Sequence, residues 1–147
     1  MSKGLTIILL ALLFAACEYR FPSQQTFPAD KALFIMTSDN ISSSGFAVYD
    51  GEQMLLGEGD FHPDAVVRLH YPYMYVINRL GRDNIQILNI QDNYKTVAEI
   101  PLPGTAALRA NPQDIVFFGD RAFVSAYGTG EIHIFNTATL AFESSIQ

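Results

Sequence analysis

A chain of 147 residues that is 49% hydrophobic carries enough apolar material for a packed core, which excludes an extended disordered polymer. Nine basic residues stand against fifteen acidic ones for a formal charge of −6, and no run of Lys or Arg occurs, so nucleic acid and anionic lipid headgroups are poor electrostatic partners. The single cysteine rules out an intrachain disulfide, so packing and hydrogen bonds must hold the fold.

In chain order the first feature is a segment at residues 1–16. Lys3 precedes an apolar run over residues 5–16 broken only by Thr6, the arrangement of a charged n-region and an apolar h-region. As a helix this run would span about 18 Å, short of the roughly 30 Å that a permanent membrane helix must cross. It is read as a removable signal. Leu12-Leu13-Phe14-Ala15-Ala16-Cys17 resembles the lipobox of bacterial lipoproteins, with small residues ahead of the cysteine to suit a peptidase cleft. Phe14 departs from that pattern, which usually has Leu there, and Leu13 lies one position outward. The resemblance implies a thioether between the Cys17 thiol and a diacylglyceryl group, with membrane lipid as the first partner. Each buried acyl methylene would contribute about 0.8 kcal/mol of anchoring. Residues 17–31 are polar, contain Pro22 and Pro28, and show no sustained period, as a tether should.

From residue 32 onward, short runs of Val, Ile, Phe and Tyr alternate with Gly, Asn, Asp and Ser, and helical spacing is absent. Strands are predicted over residues 32–37, 46–50, 54–57, 65–69, 73–78, 85–90, 95–100, 114–118, 122–127, 131–136 and 140–146. The fold class is all-β. Met74-Tyr75-Val76 matches Ala122-Phe123-Val124 at an offset of 48, and Ile85 to Asn89 matches Ile132 to Asn136 at 47. A weaker copy holds Leu33-Phe34-Ile35 and Phe46 to Asp50, offset by 41 and 39. Periods of about 40 to 50 residues with four short strands are the signature of propeller blades. Units are expected at residues 32–62, 63–110 and 111–147, with hairpins at Ser44-Gly45, at residues 81–84 and at Gly128-Thr129-Gly130. Apolar residues on both faces of one strand, as in Ile85 and Ile87 opposite Leu88, predict sheets covered on both sides.

The third unit carries the most specific pattern: Asn111-Pro112-Gln113-Asp114-Ile115, Gly119-Asp120-Arg121-Ala122-Phe123-Val124-Ser125, Tyr127-Gly128, and residues 132–139. It is similar to the YVTN-type repeat of bacterial lactonase-like and surface-layer propellers, with Phe123-Val124-Ser125 at the Tyr-Val-Thr position. The resemblance covers residues 111–146 best, 63–100 less and 32–57 faintly. It marks Asp114, Gly119, Tyr127, Gly128, Gly130 and Asn136 as structural repeat positions. The Pro-x-Asp corner would fix entry into its strand, with the Asp114 carboxylate bonding nearby amides. Leu140 stands where the repeat usually has Gly, and the second unit has Asp92-Asn93 there. Closed propellers use about four to eight blades. Two four-stranded units and a three-stranded one, with no strand predicted before residue 32, therefore read as a partial β-propeller. Either the chain is a fragment or truncated product, or several chains assemble through open blade faces.

No catalytic constellation, cofactor motif or metal-ligand spacing stands out. His62, His70 and His133 are unclustered and are read as structural or surface residues. Glu58, Asp60 and Asp64 lack the register of a calcium loop and are read as solvated. Tyr71, Tyr73 and Tyr75 would share a face if their strand ran through Pro72, and inter-blade packing is the favoured use. The functional expectation is a lipid-anchored envelope protein, facing the periplasm or cell exterior, that presents a propeller to a protein or polysaccharide. The alternative is a fragment of a propeller enzyme, a lactonase-like hydrolase or lyase, whose site lies mostly in blades not present.

Overall fold

A computed structural model describes residues 32–39, 41, 44–57 and 60–147. The expected signal, Cys17 and the tether lie outside them. The described chain is all-β: eleven strands in three antiparallel sheets and a single 3₁₀ turn at Ile90–Asp92.

Sheet 1 holds β1 (Leu33–Ser38), β2 (Ser44–Tyr49) and β3 (Met54–Gly57). Sheet 2 holds β4 (Val66–His70), β5 (Tyr73–Asn78), β6 (Asn84–Asn89) and β7 (Lys95–Pro101). Sheet 3 holds β8 (Pro112–Phe118), β9 (Arg121–Ala126), β10 (Glu131–Asn136) and β11 (Ala141–Ile146). Strands follow one another in space as in sequence, so every connection is local. Each predicted strand has a counterpart here.

Asn and Asp close the β2–β3, β6–β7 and β10–β11 connections in one way. The Asp50 carboxylate accepts from the Glu52 and Gln53 amides at 2.9 and 2.8 Å, Asn89 from Gln91 at 2.9 Å, and Asn136 from Ala138 and Thr139 at 2.9 Å. Such Asx turns substitute a side-chain carbonyl for a backbone acceptor. Two turn expectations are corrected. Gly45 is a strand residue paired with Thr37, so the first hairpin lies before Ser44. Tyr71 and Pro72 form the β4–β5 turn across a cis peptide, so Tyr71 does not extend the face of Tyr73 and Tyr75.

Sheet 2 is covered on both faces. Residues paired across antiparallel strands share a face, and the registers give two rows on its forward side: Tyr75, Ile87, Ala98 and Ile77, Ile85, Ile100. These pack against Ile115, Ala122, Val124 and Phe135 of sheet 3. On its rear side Met74, Val76 and Leu88 pack against Phe46 and Val48 of sheet 1, with Phe61, Ile90 and Tyr94 filling the edges. Phe46 stacks on Phe34 with centroids 5.1 Å apart, and its ring occupies the space a Cβ of Gly57 would need. Full burial of each such Ile, Leu or Val contributes about 1.5–3 kcal/mol, which explains why hydrophobic residues appear on both faces of β5 and β6.

Sheets 2 and 3 also share an irregularity. The β6–β7 register shifts between Ile87 and Leu88, and the β10–β11 register shifts between Ile134 and Phe135, the matched positions 47 residues on. The extra residue on the outer strand is Val97 in one case and Glu143 in the other. Two bulges at one repeat position show that the internal match extends to backbone geometry.

Candidate functional site

An apolar groove of about 380 Å³ opens between sheets 1 and 2. Phe34 and Met36 of β1 line one side, and Val67, Leu69 and Met74 of sheet 2 line the other, with Tyr94 at the edge. Its origin is a difference in the number of described strands. In sheet 3 the first strand, β8, lays Phe117 over sheet 2, its ring stacked 4.2 Å from His70 at 5° and 4.8 Å from Tyr75. Among the described residues sheet 1 has no strand beside β1 other than β2, so Val67 and Leu69 meet no equivalent cover and Leu69 is 56% exposed. Chemically the groove accepts apolar side chains, including alternate side chains of an extended segment; its lining supplies neither carboxylate, imidazole nor thiol. Burial raises the Tyr94 phenol above its ordinary pKa.

The end of the sheets that carries the β5–β6 and β9–β10 turns is tied by hydrogen bonds. Asp83 receives the Leu102 amide at its carbonyl (2.8 Å) and the Asn111 amide at its carboxylate (2.8 Å), joining the loop after β7 to the β5–β6 turn. Gly128 donates to the Ala110 carbonyl at 2.9 Å, and a Cβ there would overlap the Arg109 carbonyl oxygen. Asp64 pairs with Arg79 at 2.6 Å and Asp60 pairs with Arg82. Those two carboxylates are thus spent on arginines; Glu58 lies outside the described residues. Among the described residues no group of three or more His, Cys, Asp or Glu is gathered in metal-binding proximity.

The repeat residues singled out from sequence fall at strand ends. Asp114 at the start of β8 accepts the Ile115 amide at 2.8 Å and takes a bidentate pair from Arg68 of β4, with Nε 2.9 Å from Oδ1 and Nη2 3.0 Å from Oδ2. The Arg68 hydrogen bond is the chief reason its carboxyl is held below the ordinary value. Both side chains are about half exposed, so the bridge between sheets 2 and 3 is worth about 1 kcal/mol or less. Gly119 and Gly130 have φ of 59° and 69° in the β8–β9 and β9–β10 turns, conformations that favour glycine. Tyr127 exposes its ring and donates its amide to Asn111. Leu140, in the β10–β11 turn, has φ 55°.

The histidines are separated. His62 receives the Asp64 amide on Nδ1, His70 stacks on Phe117, and His133 is fully buried in β10. His133 Nδ1 lies 3.2 Å from Ser145 Oγ, while Nε2 has no hydrogen-bond partner and sits 3.8 Å from Glu131. Desolvation lowers its pKa, with Glu131 opposing. Gln86, at the matched position of β6, is also buried and donates to Thr96 at 2.9 Å. Sequence reading missed this pair of buried polar positions and the Arg68 bridge; the 47-residue offset linking Gln86 to His133 was the available signal. No protein-family profile and no curated protein matches the chain.

Proposed function

We propose that the chain is a membrane-tethered lipoprotein, anchored through acylated Cys17, that presents β-propeller blades as a binding or scaffold module in the cell envelope. The observation that carries the propeller part is the repetition itself. Sheet 2 receives sheet 1 on its rear face and offers its forward face to sheet 3, and matched residues perform matched tasks at each step. Head-to-tail stacking of four-stranded meanders is the construction principle of propellers, which close at about four to eight blades.

The scaffold role agrees with where the polar chemistry lies. Asp60, Asp64, Asp83 and Asp114 are each engaged with an arginine or a backbone amide, so the loop end offers a surface whose carboxylates are already partnered. The anchor part rests on the lipobox-like sequence. Expression of the full chain in a bacterial host with an alkyne-labelled fatty acid should label it, and Cys17→Ala should abolish both labelling and partition into the detergent phase. Undiminished labelling of Cys17→Ala would remove the anchor from the proposal. Affinity capture from envelope extracts should recover a partner that is lost when the loop-end residues Arg79 and Arg82 are replaced by Ala; capture unaffected by those changes would count against that display surface.

A further inference from the structure

We infer that the forward face of sheet 3 is a docking surface for sheet 1 of a second copy of this chain, joined head to tail. The inference rests on the propeller reading for its closed form only; the interface stands on the row-by-row match of faces.

On sheet 2 the forward rows are Tyr75, Ile87, Ala98 and Ile77, Ile85, Ile100, and sheet 3 covers them. The matched rows of sheet 3 are Phe123, Ile134, Ser144 and Ser125, Ile132, Ile146. Phe123, Ile134, Ile132 and Ile146 match Tyr75, Ile87, Ile85 and Ile100 in kind, while serines stand at the positions of Ala98 and Ile77; no described element covers these rows, and Ile132 is 41% and Ile146 50% exposed, against 1% for Ile85 and 7% for Ile100. Val116 and Phe118 extend the face along β8 and are 62% and 82% exposed. An apolar face of this extent on a sheet is a docking surface or an aggregation hazard.

The partner is identified at the other end of the stack. Sheet 3 meets sheet 2 through rows on its rear face, Ile115, Val124, His133 and Phe117, Ala122, Phe135. On sheet 1 Ile35 and Ala47 are the counterparts of Val124 and His133, and Leu33 and Tyr49 those of Ala122 and Phe135, with Leu56 and Met54 of β3 at the positions of Ser145 and Phe142 of β11; Ile115 and Phe117 of β8 have no counterpart among the described strands of sheet 1. No described element covers these either, and Leu33, Met54 and Leu56 are 58%, 58% and 74% exposed. On β8 and β9 the forward face of sheet 3 continues to Asp114, opposite Ser125, and to Arg121, opposite Phe118; Asp114 is paired with Arg68 and Arg121 with Glu143, so apposing the faces buries no unpaired ion. Among the described residues the molecule thus displays the forward half of an interface that it already builds twice internally, and on sheet 1 the three-stranded form of the other half. Such a contact is heterologous, and it closes into a ring or propagates as a filament according to the rotation between copies. The three described sheets from each of two copies would make six, within the range of about four to eight that closed propellers use.

The test uses the full chain in detergent, with mass by light scattering or sedimentation across a concentration series. Ile132→Lys alters one half of the interface and Leu56→Lys the other; both sites are open in the single chain, so circular dichroism should show each variant folded. Each alone should weaken self-association by roughly 100-fold or more, because a lysine is driven into an apolar contact. Mixed one to one, they should associate as a pair, since the unaltered sheet 3 of one variant meets the unaltered sheet 1 of the other. A mixture that stays monomeric, a wild-type chain monomeric at all concentrations, or dimers that Ile132→Lys disrupts but Leu56→Lys leaves intact would each overturn the inference. If the mixture pairs but the wild type forms open polymers instead of a discrete dimer, the head-to-tail interface holds and the closed-propeller reading fails.

Discussion

Ile85 and Ile132 form a natural controlled pair. They are the same residue type at the same repeat position, and they differ in that sheet 3 covers Ile85 while nothing described covers Ile132. Replacing Ile85 by Ala removes three carbons from a side chain that is 1% exposed. At about 0.8 kcal/mol per carbon the transfer loss is about 2.4 kcal/mol, and the cavity left between two sheets brings the cost to roughly 3–4 kcal/mol. Ile132→Ala removes the same atoms from a side chain that is 41% exposed, where no closed cavity forms, so about 1 kcal/mol is expected. Both are to be made in a Leu56→Lys background, which keeps the chain monomeric under the proposed interface. Urea unfolding followed by circular dichroism should give midpoints separated by the equivalent of about 2–3 kcal/mol, with unchanged slopes. Equal costs would refute the claim that stacking of sheet 3, and not sheet formation itself, stabilises these rows.

Gly128→Ala should destabilise by about 2 kcal/mol or more, because its Cβ meets the Arg109 carbonyl oxygen, a backbone atom of the loop bonded to this turn; thermal unfolding reads the loss. Tyr75 is buried with no partner for its hydroxyl, and burial has pushed its pKa up to about 12 from 10.0. Since the folded form holds its proton longer, this contribution to stability is complete below pH 10 and disappears as pH rises to about 12. Tyr75→Phe should remove that alkaline loss and leave neutral-pH stability equal or up to about 1 kcal/mol higher, as seen by urea unfolding at pH 7 and pH 11. For His133 the sign is reversed: its folded pKa lies below the ordinary 6.5, so the unfolded chain binds more protons and stability falls as pH drops from 6.5 toward the folded value. His133→Phe should flatten that part of the stability–pH curve, and an unchanged slope would assign it to other groups.

Much of the strand layout was legible because each strand pairs an apolar run with Gly, Asn or Asp at its ends. The two-sided burial of sheet 2 was legible too, since Ile85, Ile87 and Leu88 leave no polar face on β6. What failed was local turn assignment. Ser44-Gly45 has turn composition, but Gly45 lies in β2 opposite Thr37, where pairing with β1 overrides its turn preference. The three-tyrosine stripe depended on a strand running through Pro72, and Pro72 lies with Tyr71 in the β4–β5 turn, while Tyr73 and Tyr75 pack between sheets as favoured. Among the singled-out positions, Gly128 was legible as a turn glycine, but its actual constraint is the approach of the loop around Arg109. That loop reaches it from 19 residues away in sequence, a contact invisible to local pattern. Leu140 shows the opposite case: a leucine adopts the left-handed backbone, φ 55°, that composition would assign to glycine or asparagine.

The paired bulges at Val97 and Glu143 bear on how the molecule avoids sticking to its neighbours in the wrong way. Both lie on the last strand of a sheet, where a row of unpaired amides and carbonyls would template a foreign strand. An inserted residue breaks the even spacing that such pairing requires and twists the border away from a flat approach. Lys95, Glu99 and Pro101 on β7 and Glu143 on β11 add charge and a missing amide along the same borders. Lateral growth is thereby discouraged at the last strand of sheets 2 and 3, and association there is directed to the broad faces, where side chains rather than backbone decide which partner fits.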